Sequence, residues 1–259
     1  MCTNSKLNLS SSLNSNPNLP RTPVIYLSPS NQPANRYAVG NTNEKREMEA
    51  VARQIQVFLE EYHCTAIIAT LPLGIDSTGR PKEAREKGAD IYLAIHSNAG
   101  GGGKGSGAMT FYHPQNPGGQ ALAASIVEEL NAVCPIPSNR TTPVQSGMDV
   151  FQGAGYAEIR LPYQYGLCPV LAETNFHDNP KTAQWMIDHK DVIAIAYVQA
   201  LVKTLGLIQK SSSIMPSIKE GNKVQYYRVQ VGAFLEKSNA EALQRKLKAA
   251  GYDAIIKKD

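Results

Sequence analysis

Apolar positions in the first part of the chain fall into short β-prone runs separated by longer stretches with helical spacing. Val24–Ser28, Thr65–Thr70 and Ile91–His96 are short apolar runs that predict buried strands. Between the first two, apolar residues from Met48 to Leu59 recur at helical spacing behind Asn43, a plausible N-cap. Strands that alternate with helices in this way favour a largely parallel sheet with right-handed crossovers.

The same alternation continues to about residue 208. A short charged helix is predicted within residues 80–90, a strand within 107–113 and a helix within 120–133. Pro169–Thr174 reads as a further inner strand, and a short and a long helix follow it up to Gly206. The chain is therefore expected to be an α/β protein whose sheet lies between helices.

Composition divides the chain into four parts. Residues 1–22 are rich in Ser and Asn and predict a disordered leader, residues 23–208 hold the α/β domain, and residues 209–223 form a polar linker with Ser, Pro and Gly. Residues 224–259 alternate apolar and polar positions, turn helical and end on another β-prone run. This last part predicts a βαβ unit that is small for an independent core.

Charge and cysteine content exclude several function classes. The formal net charge of +4 comes from the ends, because residues 23–208 hold 14 Lys/Arg and 17 Asp/Glu whereas residues 209–259 hold 10 and 5. The excess of basic residues in the C-terminal tail is too small to favour nucleic-acid binding. No apolar run could span a bilayer, no signal peptide is visible at Met1, and four widely spaced cysteines suggest neither disulfides nor a cysteine-based zinc site.

Three polar side chains are candidates for catalysis because the carboxyl ends of parallel strands converge on one crevice. His96 ends one predicted strand, Glu173 lies near the end of another, and Glu44 opens the first helix. A His and a carboxylate suit a catalytic zinc ion, and a second carboxylate suits its general base. Each has a plainer interpretation: His96 as a hydrogen-bonded structural residue, Glu44 as a helix-dipole residue, and Glu173 as a buried, partnered acid. Phosphate-loop and serine-hydrolase motifs are absent from the sequence.

Four ordered motifs carry a family resemblance: NEKREMEAVARQI, GADIYLAIHSNA, GSGAMTFYH and CPVLAETNFHDNP. Together they resemble the zinc-dependent N-acetylmuramoyl-L-alanine amidases that cleave bacterial cell walls, in a clostridial and phage-like branch. The resemblance implies a twisted, mixed, largely parallel six-stranded sheet between helices, one Zn²⁺, and hydrolysis of the amide between N-acetylmuramoyl residues and L-alanine. It makes Glu44 and His96 zinc ligands and Glu173 the catalytic base.

The chain departs from this family in the loop after the first strand, where the family has a further zinc-binding His. That loop here contains no His, and the aligned candidates are Asn31 and Ala34. His177, four residues after Glu173, is the nearest substitute, and Asn98 is a possible metal or substrate contact. Three outcomes stay open: an active amidase, an impaired one, or a non-catalytic protein that binds peptidoglycan.

The C-terminal segment YYRVQVGAFLEKSNAEALQRKLKAAGYDAIIKK resembles the first half of a SPOR domain, a module that binds peptidoglycan. On this resemblance Tyr226, Tyr227 and Phe234 would contact glycan, whereas a remnant that docks on the catalytic domain is the alternative. We expect a monomer whose partner is peptidoglycan, with neither nucleic-acid binding nor membrane insertion. We expect it to be made in the cytoplasm and to act in the cell wall or outside the cell after lysis.

Overall fold

The secondary structure follows the predicted alternation of strands and helices. A computed structural model describes residues 22–72, 79–210, 237–249 and 256. Its elements in chain order are β1 (Val24–Pro29), α1 (Glu44–Leu59), β2 (Thr65–Ile68), α2 (Arg80–Glu86), β3 (Ile91–Asn98), β4 (Met109–Tyr112), α3 (Pro117–Val133), β5 (Val144–Ser146), a 3-10 turn (Phe151–Gly153), α4 (Ala157–Gln164), β6 (Cys168–Phe176), α5 (Pro180–Asp188), α6 (Lys190–Leu205) and α7 (Lys237–Ala249).

One mixed sheet of six strands organises the larger part of the chain. The strand order is β2-β1-β3-β6-β4-β5, and four of its five neighbouring pairs are parallel. The exception is β4, which runs antiparallel to β6. This confirms the expected twisted-sheet α/β class, with a largely parallel six-stranded sheet. The central strands β1, β3 and β6 end at one edge, where the polar side chains follow their apolar runs.

Helices cover both faces of the sheet. On one face α1, α3, α5 and α6 pack over a large core that includes Ile25, Leu27, Leu93, Ile95, Val170, Met48, Ile55, Leu122, Tyr197 and Leu201. On the other face α2 and α4 pack over a smaller core that includes Tyr26, Tyr92, Ala94, Phe111, Leu171, Ala84 and Ile159. Because successive strand residues point to opposite faces, strands buried on both sides read as continuous apolar runs.

Local signals set the helix ends. The side chain of Asn43 accepts a hydrogen bond from the backbone N–H of Arg46 and caps α1, as predicted. Asn116 and Asn179 cap α3 and α5 in the same way. Gly206 ends α6 in the left-handed conformation, with φ of 62°.

Two elements were missed by the sequence analysis, the short edge strand β5 and helix α4. Both lie in residues 134–167, where Pro and Gly interrupt any periodic pattern, and α4 itself contains Pro162. Helix α4 matters most, because it carries a side chain of the candidate site.

The chain divides into two compact units, Met1–Ser211 and Ser212–Asp259. In the second unit the structure describes α7, which matches the helix predicted in the tail; the predicted strands on either side lie outside the described residues. No helix among the described residues is long and apolar enough to cross a membrane. Cys64, Cys134 and Cys168 are free thiols.

Glu83 ties α2 to the first two strands. Its carboxylate accepts hydrogen bonds from the Tyr26 hydroxyl and from the side chain and backbone of Thr70, and it pairs with Lys87 at 2.7 Å. Burial alone would raise the pKa of Glu83, but the hydrogen bonds from Lys87, Thr70 and Tyr26 outweigh it and lower the pKa to about 2.

We expect this depressed pKa to make stability depend on acid pH. Protonation of Glu83 is harder in the folded than in the unfolded chain, so its stabilising effect is complete above the ordinary pKa of 4.5 and is lost as the pH falls towards about 2. Urea denaturation from pH 6 to pH 2 should therefore show that the free energy of unfolding falls less steeply with falling pH for Glu83→Gln than for the wild type. The exposed Glu86→Gln on the same helix should keep the wild-type slope; equal slopes in all three would contradict the prediction.

Candidate active site

Two of the predicted site residues face each other across neighbouring strands. His96 of β3 and Glu173 of β6 are direct partners in the parallel register, so their side chains lie on the same face of the sheet. That is the face covered by α2 and α4. His96 and Glu44 are almost fully buried. The structure thus brings together Glu44, His96 and Glu173 at the carboxyl edge of the sheet.

The His96 ring is held between two carboxylates. Its Nδ1 lies 2.9 Å from Oε1 of Glu44, and its Nε2 lies 2.8 Å from Oε2 of Glu158. Ionised carboxylates only accept hydrogen bonds, so each nitrogen of the His96 ring faces an acceptor. Burial alone would lower the pKa of His96, but the hydrogen bonds with Glu158 and Glu44 and the charges of Glu158 and Glu173 raise it well above its ordinary value.

Glu158 was not predicted from the sequence. It lies in the first turn of α4, and besides His96 it accepts hydrogen bonds from the hydroxyls of Ser28 (2.6 Å) and Tyr92 (2.9 Å). Arg80 of α2 donates to the Ser28 hydroxyl and to a backbone carbonyl of β1. Burial would raise the pKa of Glu158, yet the hydrogen bonds from His96, Ser28 and Tyr92, with His96 first among them, lower it. The sequence offers only a weak signal for this position, an acidic residue in a segment that contains Pro.

Glu44 is held from the loop after β1 as well as by His96. The side-chain amide of Asn35 donates to Glu44 Oε2 at 2.6 Å and to Gln32 Oε1 at 2.7 Å. Gln32 in turn lies 3.4 Å from His96 Nδ1, and the backbone N–H of Ser97 donates to Glu44 Oε1 at 3.2 Å. Burial would raise the pKa of Glu44, but the contacts with His96 and Asn35 lower it. Gln32 and Asn35 were not singled out by the sequence.

Glu173 differs from the other two carboxylates because it lacks hydrogen-bonding partners on one oxygen. Its Oε2 is buried and has no hydrogen-bond partner among the described residues. Burial, opposed by His96 but reinforced by the charges of Glu44 and Glu158, raises the pKa of Glu173 to about 7. An unpartnered carboxyl group with a near-neutral pKa is suited to accept and return a proton at physiological pH.

The remaining candidates lie around this cluster. His177 is buried beside it, but its Nδ1 contacts the Ser97 hydroxyl at 2.9 Å and its ring stacks on Tyr37. The side-chain amide of Asn98 points to the sulfur of Met109 at 3.5 Å. Asn31 and Ala34 are exposed. Tyr226, Tyr227 and Phe234 lie outside the described residues.

The donor set fits zinc in part. Glu44 and His96 supply a carboxylate and an imidazole that face each other, and a carboxylate behind the second ring nitrogen is the usual outer partner of a zinc-bound histidine. Across residues 22–72 and 79–210, no group of three His, Cys, Asp or Glu side chains converges to hold a metal. Where a third ligand would complete the set, the loop offers the amides of Gln32 and Asn35, which are poor zinc ligands.

Comparison with known families finds two matches along the chain. The family profile for N-acetylmuramoyl-L-alanine amidase matches residues 25–203, and the profile for the SPOR domain matches residues 194–258. Among curated proteins, the chain is similar to the N-acetylmuramoyl-L-alanine amidase CwlM of Bacillus licheniformis, with 22% identity over 238 residues that cover 90% of this chain and 83% of the relative. A sporulation-specific N-acetylmuramoyl-L-alanine amidase of Bacillus subtilis is 23% identical with the same coverage.

Solved structures show the same fold. The amidase AmiC2 of Nostoc punctiforme has a TM-score of 0.58 at 16% identity, covering 71% of this chain and 97% of its own. The CwlD amidase of Clostridioides difficile, solved in complex with the GerS lipoprotein, has a TM-score of 0.58 at 21% identity, with 71% and 99% coverage.

The His96–Glu158 pair should contribute strongly to stability. Glu158→Gln removes one charge of a fully buried pair, so we expect the free energy of unfolding of the metal-free protein to fall by about 2–4 kcal/mol. Glu128→Gln removes a partner of Lys203 in an exposed pair and should leave the free energy of unfolding nearly unchanged. Urea denaturation of both variants at pH 7 measures the difference; losses of equal size would show that the buried pair contributes no more than the surface pair.

Proposed function

This chain belongs to the N-acetylmuramoyl-L-alanine amidase family, and we propose that the cluster of Glu44, His96, Glu158 and Glu173 is its active site. The family activity is hydrolysis of the amide between the N-acetylmuramoyl residue and L-alanine in peptidoglycan. The observation that carries the assignment of the site is the Glu173 carboxylate beside the His96–Glu44 pair, whose buried Oε2 has no hydrogen-bond partner among the described residues.

In this proposal Glu173 moves the proton. It accepts a proton from the attacking water as the water oxygen bonds to the carbonyl carbon. It then returns that proton to the departing L-alanine nitrogen as the carbon–nitrogen bond breaks. The first step needs the ionised form and the second the protonated form, so a pKa of about 7 serves both. The other carboxylates stay ionised because each is held by hydrogen-bond donors.

The family is generally zinc-dependent, and the finer proposal is that Glu44 and His96 hold Zn²⁺ in this chain. When bound, zinc supplies a water of lowered pKa and polarises the scissile carbonyl. Glu158 orients the His96 ring from behind, and Asn35 orients the Glu44 carboxylate. His177 is engaged with Ser97 and Tyr37, so a role for it as a ligand would require that it leave those contacts.

One observation favours a second candidate function, a peptidoglycan-binding protein with impaired catalysis. The first loop presents amides where the family resemblance calls for a histidine. A binding role would rest on the SPOR match at residues 194–258. Under either function the protein acts on the cell wall, and we expect a monomer that binds peptidoglycan.

The first test is for cleavage. Isolated sacculi incubated with the protein and Zn²⁺ should release newly exposed N-terminal L-alanine, and Glu173→Gln should lower the rate by at least about a hundredfold because it removes the proton acceptor. The exposed Glu60→Gln should keep the wild-type rate. No release by the wild type at any zinc concentration would leave the binding function as the answer.

The second test is for the metal. With two protein ligands, we expect less than one equivalent of zinc per chain after dialysis, measured by elemental analysis. Gln32→His places an imidazole beside His96 Nδ1 and should raise the zinc content, whereas Gln120→His on the exposed side of α3 should not. A full equivalent in the wild type would show that another group already completes the site.

A further inference from the structure

A polar cleft opens next to Glu173. It has a volume of about 340 Å³, within the size range of small-ligand sites, and is lined by Met109, Asn139, Arg140, Thr141, Thr142 and Gln145. Met109 is the direct partner of Glu173 in the antiparallel ladder of β4 and β6. Directly opposed residues on antiparallel strands lie on the same face with Cα atoms about 5 Å apart, so the cleft begins one residue away from the proposed base.

Arg140 is the charged residue of this cleft. Its guanidinium lies over the ring of Phe176, 4.8 Å from the centroid, and its Nε donates to Asn139 Oδ1 at 3.0 Å. Within the described part of the chain, no Asp or Glu carboxylate pairs with it, although residues 23–208 hold three more acidic than basic side chains. A half-buried, unpaired guanidinium in an acidic domain has donors left for an external anion.

The loop that carries Arg140 is fastened to the strand edge. Asn139 exchanges hydrogen bonds with the backbone of Ser106 in both directions at 3.1 Å, and its side chain donates to the carbonyl of Lys104 at 2.8 Å. Gly107 packs so closely that a Cβ there would lie 1.9 Å from the Ser138 hydroxyl. The guanidinium is therefore held in place before any ligand arrives, which lowers the entropic cost of binding.

We propose that Arg140 is a specificity-determining residue that binds a free carboxylate on the peptide side of the scissile amide. The proposal rests on the proposed function, because it places the reacting amide at Glu173 and the acidic peptide in the cleft. The threonine hydroxyls and the Gln145 amide are neutral hydrogen-bonding groups that suit a peptide backbone. Selectivity for a negatively charged ligand therefore depends on Arg140.

The test compares two substrates of the same shape, N-acetylmuramoyl-L-alanyl-D-glutamate and its diamide, in which both carboxyl groups are neutral. For Arg140→Ala we expect KM for the acid to rise roughly five- to twentyfold with little change in kcat, as for loss of one half-exposed charged hydrogen bond. KM for the diamide should change less than about twofold. Arg53→Ala, on the exposed side of α1, should leave both substrates unaffected, and Arg140→Lys should fall between.

Equal effects of Arg140→Ala on acid and diamide, or no effect on either, would overturn the proposal. Calorimetry gives the same comparison without turnover. It measures binding of uncleaved N-acetylmuramoyl-L-alanyl-D-glutamate to Glu173→Gln and to Glu173→Gln/Arg140→Ala. A higher Kd, and thus weaker binding, in the double variant supports the role of Arg140. If the wild type also cleaves neither substrate, the proposed hydrolysis is wrong and the carboxylate site at Arg140 is still supported. Unchanged binding overturns the carboxylate site at Arg140. The proposed hydrolysis is then decided by the cleavage assay on sacculi.

Discussion

The buried ring of His96 holds the site together. One ring connects Glu44 at the start of α1 with Glu158 at the start of α4, so helices on opposite faces of the sheet meet at the end of β3. Neither carboxylate could stay ionised at this depth without hydrogen-bond donors. The position of each member of the cluster therefore depends on the others, and the helices on either side of the sheet are aligned through them.

The same electrostatics separates the roles of the three carboxylates. Glu44 and Glu158 receive hydrogen bonds from His96 and from hydroxyl, amide or backbone donors, which keep both ionised. Glu173 is half-buried, its Oε2 atom is buried without a donor among the described residues, and it also feels the other two negative charges. Glu173, the residue on the cleft side, is therefore the carboxylate of this cluster whose pKa lies close to neutral. Acid and base roles are thus divided by unequal hydrogen bonding among residues of one type.

How much the sequence could predict depends on whether a feature is periodic. The strands and helices that carry Glu44, His96 and Glu173 showed clear apolar spacing and one visible cap at Asn43, so both the sheet class and these three positions followed from the chain alone. Glu158 could not be found in that way, because α4 is short, contains Pro162 and sits in a segment without periodicity. Gln32 and Asn35 are loop residues whose contacts arise only when the chain between β1 and α1 folds back over the sheet edge.

The loop after β1 shows how orientation and metal binding can be separated. Asn35 holds the Glu44 carboxylate, and Gln32 accepts from Asn35 while it approaches His96. Amides can donate and accept hydrogen bonds, so Asn35 can hold the Glu44 carboxylate and Gln32 at the same time. They do not supply the third nitrogen or anionic oxygen that a tightly bound zinc requires. The loop therefore orients Glu44, and under the proposed function zinc binding would depend on Glu44 and His96.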